Sequence, residues 1–569
     1  MKKLLKYLKG YEKECVLGPL FKLLEALFEL FVPLVMASII DKGINGGDAG
    51  WIIKMSLVLV LLGLIGLVCA ITAQYFAAAA AVGFSGRLRS ALFAHIQKLS
   101  FEDADKMGQP KMITMLTSDI NQLQNGVNLV LRLFLRSPFI VFGAAIMAFF
   151  VDVKAALIFL ATIPVLSIIV FAIMLGGAPL YKRVQKTLDS VLERVRENIT
   201  GVRVIRAFLA EGKETKKFES ENNLLMKKQL FAGRISALMN PLTYVVVNLS
   251  IVYILYTGAG RVNAGELTQG EVVALVNYMS QILVELVKLA NLIISVTKAA
   301  ACGARVAEAL ESGGKEHFEE EVHSEDFAVE FKNVSLRYAS SAEPSLSNIS
   351  FAVKKGESLG IIGVTGSGKS SLINLLPRFY EATEGTVFVN GKNVGSYDIK
   401  ALHKIVAVVP QKAQLFSGTI RSNVAFSSDL SDEEILSAIR IAQGEDIVKA
   451  KGSLSAEVAQ NGKNLSGGQK QRLTVARAIA AKPEILILDD SGSALDYQTD
   501  LLMRKAISEI NGLTTFIVSQ RSSCVMNCDK IIVLEDGEMA AIGTHDELLK
   551  TCPVYEEIYY SQYERGEKA

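Results

Sequence analysis

The sequence carries no excess of charge of either sign: 60 Lys and Arg stand against 58 Asp and Glu in 569 residues, a net charge of +2. A balance that close creates no long-range field for a polyanion, and nucleic acid is excluded as an expected partner. Cysteine is sparse and irregularly spaced (Cys15, Cys69, Cys302, Cys524, Cys528, Cys552). Only Cys524 and Cys528 are near neighbours, and with no second Cys or His pair beside them they read as packing residues in a reducing compartment rather than metal ligands. No cleavable leader is expected either. MKKLLKYLKGYEKEC is basic and amphipathic but lacks a long apolar run closed by small residues, so a retained helix on the cytoplasmic membrane surface is expected. No internal repeat is evident.

What is abundant is apolar surface. Half the residues are hydrophobic and the mean hydropathy is +0.32, more than a water-soluble globule of several domains can cover. Apolar stretches of about 20 residues or more, the length of a membrane-crossing helix, recur near 16–40, 53–83, 127–151, 154–178, 238–262 and 270–297 and then stop. The short links at 41–50, around Asp152 and at 260–270 carry few Lys or Arg. The long links, 87–125 and 181–237, carry many, among them Arg87, Arg89, Lys98, Lys182, Arg183, Arg203 and Arg206. Positive charge marks the inner side, so the long links and both chain ends are expected in the cytoplasm. Apolar residues at three- and four-residue intervals in VLERVRENITGVRVIRAF predict that the helices continue out of the membrane. Trp51, the only tryptophan, falls where an outer interface anchor belongs.

Glu25, Glu29, Arg132, Arg136, Gln281, Glu285, Lys288 and Asn291 lie inside spans, where lipid contact is costly. Two readings stay open: they line a translocation route, or they pair with one another near helix ends. Beyond a charged linker, 313–327, short β-type runs alternate with helical ones. The expected architecture is an α-helical membrane domain, 1–312, with six transmembrane helices and long cytoplasmic extensions, followed by an α/β domain with a largely parallel sheet, 328–569.

That second domain holds G-x-x-x-x-G-K-S in full: Gly363, Val364, Thr365, Gly366, Ser367, Gly368, Lys369 and Ser370, followed by Ser371, between the apolar run LGII and the helical SLINLLPRF. Glycines let backbone N–H groups wrap phosphates, Lys369 neutralises phosphate oxygens, and Ser370 offers a hydroxyl to Mg2+. ILILDD, 485–490, reads as a buried strand ending in carboxylates, with Asp489 placed to hold the same ion. Between the two lies Leu465-Ser466-Gly467-Gly468-Gln469.

This set resembles the ATP-binding cassette (ABC) family, whose signature is LSGGQ, and six spans followed by one cassette resemble a half-size exporter of the multidrug type. The resemblance implies ATP and Mg2+ as ligands, a lipid bilayer of a bacterial cell as the location, and a small amphipathic or lipophilic cargo. It implies that Tyr338 stacks on adenine, that Gln411 contacts Mg2+ and relays nucleotide state, and that Asp496 in Ser493-Ala494-Leu495-Asp496 sits on the loop crossing the cassette dimer. It also implies that each ATP lies between one chain's P-loop and the other chain's Ser466, Gly467, Gly468 and Gln469. Segments near 101–106 and 209–216 would couple the cassettes to the membrane helices.

Three positions depart from the family pattern. Asp490 stands where a catalytic glutamate is usual, Gln520 where a histidine is usual, and Gln460-Asn461 where many exporters have Glu-Arg. The first two fall in the site built on this chain's own P-loop, which implies weak hydrolysis there and a partner half-transporter keeping the glutamate and histidine. A homodimer, a dedicated lipid or peptide exporter, and a regulatory subunit that binds ATP without pumping are the alternatives.

Overall fold

The structure, a computed structural model, describes residues 2–313, 327–338, 341, 343–426 and 429–563. The chain divides into two compact units, one of Met1–Lys98 with Met107–Ser312 and one of Leu99–Lys106 with Gly313–Ala569. Most of the expected linker, 314–326, lies outside the described residues.

Among the described residues of the first unit, six helices are long and apolar enough to cross a membrane: Glu12–Ile44, Ala49–Ile96, Gln109–Val151, Val153–Thr200, Glu211–Asn263 and Gln269–Glu311. Each extends past the apolar run that predicted it, most of all the fourth and fifth, because the polar extensions keep a helical period. The short links are closed by capping. Asp48 accepts from Trp51 N at 3.0 Å, and Thr268 and Glu271 form a capping box. Asp152 caps Ala155 N at 2.6 Å while taking two bonds, 2.6 and 2.7 Å, from the Arg261 guanidinium. The third span breaks between Ile120–Leu133 and Arg136–Val151. Pro138 has no N–H to return to the carbonyl of Phe134, so the helical ladder is interrupted there.

The charged residues within the spans largely pair. Arg136, 7% exposed, holds Glu285 at 2.7 Å and Glu29 at 2.6 Å, with Glu25 at 3.9 Å, and Lys288 reaches Glu285 at 2.8 Å. Three carboxylates from the first and sixth spans thus share one guanidinium from the third. Removing that cation leaves buried acids uncompensated, which costs about 3–5 kcal/mol. Arg136→Met is therefore expected to lower the melting temperature of the purified protein sharply, whereas the half-exposed Lys288→Met costs much less.

The N-terminal segment is helical and packs one face on the bundle. Lys2–Leu8 is a short 3-10 helix, and Leu4 is 2% exposed in a cluster with Phe84, Leu88, Leu92 and Met115. Arg87 donates to the carbonyl of Lys9 and lies 4.8 Å from the Tyr11 ring. Burial of Leu4 holds that face on the bundle, while Leu5 stays exposed.

In the second unit a six-stranded sheet runs in the spatial order Glu538–Gly543, Lys530–Glu535, Ser358–Gly363, Thr514–Val518, Ile485–Asp489, Val406–Val409. It is parallel except at the Glu538–Gly543 edge. Leu359, Ile361, Ile362, Ile485, Leu486 and Ile487 are fully buried, as strands covered on both faces require. A second, antiparallel sheet of Leu346–Lys354, Phe327–Leu336, Glu384–Val389 and Lys392–Asn393 was not legible in the sequence. Cys524 and Cys528 are buried beside Val525 and Tyr555, and burial pushes the Cys528 thiol up to about 12, far from the range of a reactive thiolate.

Candidate functional site

Three adjacent parallel strands, Ser358–Gly363, Thr514–Val518 and Ile485–Asp489, end on the same side of the sheet, the usual place for a ligand in such folds. From the first, the chain turns through Thr365, Gly366 and Ser367 into the helix Lys369–Asn374. Two glycines are required there. Gly368 has φ +92°, and a Cβ on it would lie 2.7 Å from the carbonyl oxygen of Ser345; one on Gly363 would lie 2.2 Å from that of Leu534. The Lys369 ammonium is turned back onto its own loop, donating to the carbonyls of Gly363 at 2.9 Å and Val364 at 2.7 Å. Burial holds its pKa below the ordinary lysine value, with Asp489 and Asp490 pulling the other way.

These residues border a cavity of 670 Å³ lined by Thr365, Gly366, Gly368, Lys369, Ser370, Ser371, Gln411, Asp489, Asp490 and Gln520. The same cavity takes in Ser345, Asp536 and Gly537, which sequence reasoning missed. Asp536-Gly537 is a hairpin turn dipeptide with both φ positive, a local signal of a turn but not of where the turn would land. Ser370 Oγ donates to Asp489 at 3.2 Å, and burial raises the Asp489 carboxyl above the usual range. Gln411 Nε2 donates to Asp490 Oδ2 at 3.3 Å. Ser370, Asp489 and Gln411 thus bring hard oxygen donors to one mouth, a set that fits a divalent cation bound mainly by oxygen.

Asp490 is held by its backbone. Its φ is +45°, its N–H donates to Val518 O at 2.9 Å, and its carbonyl accepts from Ser493 N at 3.2 Å and Ser493 Oγ at 2.9 Å. Gln520 exposes its side chain to the cavity mouth while its carbonyl accepts from Gln562 Nε2 at 2.9 Å. Tyr338 is not among the lining residues: its hydroxyl donates to Ser371 Oγ at 3.0 Å and its ring meets Tyr380 edge-on, with centroids 4.9 Å apart.

Ser466, Gly467, Gly468 and Gln469 lie elsewhere. Ser466 caps the helix Gly467–Ala480, its Oγ accepting from Gln469 N at 3.3 Å while Gln469 Oε1 accepts from Ser466 N at 3.0 Å. Ser466 and Gly467 are exposed, and none of the four lines the P-loop cavity. Asp496 caps the helix Tyr497–Ser508 through Thr499 N, and Ala494 two residues before it packs over Gly468. In the same unit, Phe101 packs on Phe379 at 4.3 Å and Asp105 accepts from the Tyr380 hydroxyl, so the 101–106 segment is bound directly to the cassette.

A P-loop cavity at the carboxyl edge of a parallel sheet, in a chain whose described residues include six membrane-length helices, defines a membrane-bound P-loop ATPase. Residues 15–286 match the family model described as the ABC transporter transmembrane region, and 346–493 match that of the ABC transporter. The chain is 37% identical over 99% of both sequences to the ABC transporter ATP-binding protein YfiB of Bacillus subtilis. It is also 32% identical to the probable multidrug resistance ABC transporter ATP-binding/permease protein YheH of the same organism, over 85% of this chain and 72% of that one. The solved structure of a bacterial Atm1-family ABC exporter with ATP bound superposes with a TM-score of 0.81 at 22% identity, covering 98% of this chain and 99% of that one. The chain belongs to the ABC transporter family: it is an ATP-binding, ATP-hydrolysing half of an exporter that works as a dimer in a membrane.

Proposed function

We propose that this chain is one of two unlike half-transporters that export small amphipathic compounds, with its own P-loop site holding ATP but hydrolysing it slowly. The observation that carries this reading is the split between the two halves of the nucleotide machinery. Asp490 and Gln520 both line the cavity of the P-loop, whereas Ser466–Gln469 stand intact on a separate exposed surface. A single cassette therefore offers no complete site, and the weakened half and the sound half serve different ATP molecules.

In this reading Lys369 leaves the carbonyls of Gly363 and Val364 for the phosphates, and the amides of 366–370 wrap them. Ser370, Asp489 and Gln411 would hold Mg2+, which would neutralise charge on the phosphoryl oxygens. Asp490 is too short to orient the attacking water well, and Gln520 offers an amide where charge and proton handling are wanted. Ser466 and the amides of Gly467 and Gly468 complete the competent site on the partner, where a helix N-terminus meets the γ-phosphate. Closure of the cassettes is passed to the membrane helices through 101–106 and 209–216. At the start of the second segment Phe208 and Leu209 are 80% and 86% exposed, an apolar knuckle suited to an interaction surface. Both termini and the cassette lie in the cytoplasm, by the charge of the long links. The likeness to YheH, described as a probable multidrug resistance transporter, supports a drug-like cargo.

Isolation of the complex from native membranes, followed by mass spectrometry, is expected to yield a second ABC half-transporter with the usual glutamate and histidine in equal amount; a self-pair refutes the heterodimer. Lys369→Ala is expected to weaken ATP retention at this chain's site by about 10–100-fold, read by photolabelling with azido-ATP, since it removes a charge-assisted contact of about 1.5–3 kcal/mol.

A further inference from the structure

We infer that the membrane domain carries a recognition site for a small net-neutral zwitterion, one bearing an ammonium and an acid group on an apolar body. The site is a cavity of 380 Å³ between the first and sixth spans, of a volume suited to a small ligand. Its charged walls are Glu29, Glu285 and Lys288, with Asn277, Ser280 and Gln281 as neutral polar neighbours and an apolar side that includes Val32 and Met36. The inference rests on the exporter reading and names the class of cargo.

Charge balance selects the zwitterion. The linked cluster is Lys22, Arg136 and Lys288 against Glu25, Glu29 and Glu285, which sums to zero. A cargo with net charge adds an uncompensated ion to a membrane-buried site, the costliest arrangement there, whereas a dipolar cargo adds none. The cluster is also not equally shielded. Arg136 and Glu285 have side chains 7% and 4% exposed, while Glu29 and Lys288, of opposite sign and on different spans, are 40% and 43% exposed. The inner pair is a fixed scaffold; the outer two present an acceptor and a donor to the cavity. Gln281 belongs to the cavity wall, and its Oε1 is shielded, with no hydrogen-bond partner among the described residues.

The test uses the purified native complex and the dipeptide Phe-Ala, its N-acetylated form (a net anion) and its C-amidated form (a net cation), with tetraphenylphosphonium as a lipophilic cation. Binding is read without ATP as thermal stabilisation against concentration. The free dipeptide is expected to bind about tenfold tighter than either capped form, the difference of one charge-assisted contact. Glu29→Gln should abolish the discrimination against the acetylated form, and Lys288→Gln that against the amidated form; a merely structural role would lower stability without moving either ratio. Phosphatidylethanolamine added to phosphatidylcholine nanodiscs distinguishes a lipid headgroup from a soluble zwitterion as the natural source. Equal binding of all three peptides, or tighter binding of tetraphenylphosphonium, overturns the inference, and this wild-type ranking decides even where a variant does not fold. ATP-driven dye movement in vesicles, measured in parallel, separates the two failures: pumping without zwitterion preference sinks this site alone, and zwitterion binding without pumping sinks the exporter reading.

Discussion

Gly468→Asp in this chain is expected to lower steady-state ATP hydrolysis by the native complex about 100- to 1000-fold, while Asp490→Asn lowers it less than about threefold. The first change puts a carboxylate at the exposed N-terminus of Gly467–Ala480, where the partner's γ-phosphate is proposed to bind. Two unit charges about 4 Å apart repel by about 4 kcal/mol at an effective dielectric of about 20, about a thousandfold in a rate or binding constant. Sterics add to this, because a Cβ at Gly468 already lies 3.1 Å from the carbonyl oxygen of Ala494. The second change touches only the site that Asp490 and Gln520 have already weakened. Phosphate release from the two purified variant complexes measures the contrast, and nucleotide photolabelling at Lys369's own cavity shows that the altered cassette is folded. Comparable loss in both variants means that the two sites are equal and the asymmetric reading is wrong.

With the partner's site silenced by Gly468→Asp, the double change Asp490→Glu and Gln520→His is expected to raise the residual hydrolysis by about 100-fold. The reason is reach. The backbone of Asp490 is pinned by Val518 O and Ser493, so the chain cannot advance to make up for a short side chain. One added methylene moves the carboxylate outward by about 1.5 Å, and a misplacement of about 1 Å in a catalytic group costs about 100-fold. Gln520→His restores a side chain able to carry charge and a proton at the cavity mouth. The repair has a cost: at φ +45° a glutamate is less at ease than an aspartate, and stability should fall by about 1–2 kcal/mol. A melting curve checks that cost independently of the rate, and an unchanged rate would place the silencing elsewhere than these two residues.

The two altered positions were visible as letters, but their consequence depends on contacts that no local pattern encodes. Gln411 lies 79 residues from Asp490 yet bonds to it. Ser370 and Asp489 are separated by 119 residues and meet at 3.2 Å. Asp536 and Gly537 enter the nucleotide cavity from a distant turn, without a phosphate-binding motif of their own. Tyr338, assigned to adenine by resemblance, has its ring against Tyr380 and its hydroxyl on Ser371.

By itself the sequence determined the six spans, the helical extensions and the P-loop strand and helix. Each is specified within a window of some twenty residues: by the cost of exposing a backbone to lipid, by the 3.6-residue period, and by the backbone freedom of glycine at a phosphate loop. Tertiary structure alone decided which of the two readings of the intramembrane charges applies to Arg136, since its partners Glu29 and Glu285 are 107 and 149 residues away. It likewise decided that Leu4 is buried in the bundle and that Leu99–Lys106 belongs to the cassette's compact unit. In each case the energy lies in desolvating or pairing groups remote along the chain, a term that depends on three-dimensional proximity and leaves no period, cap or motif in the local sequence.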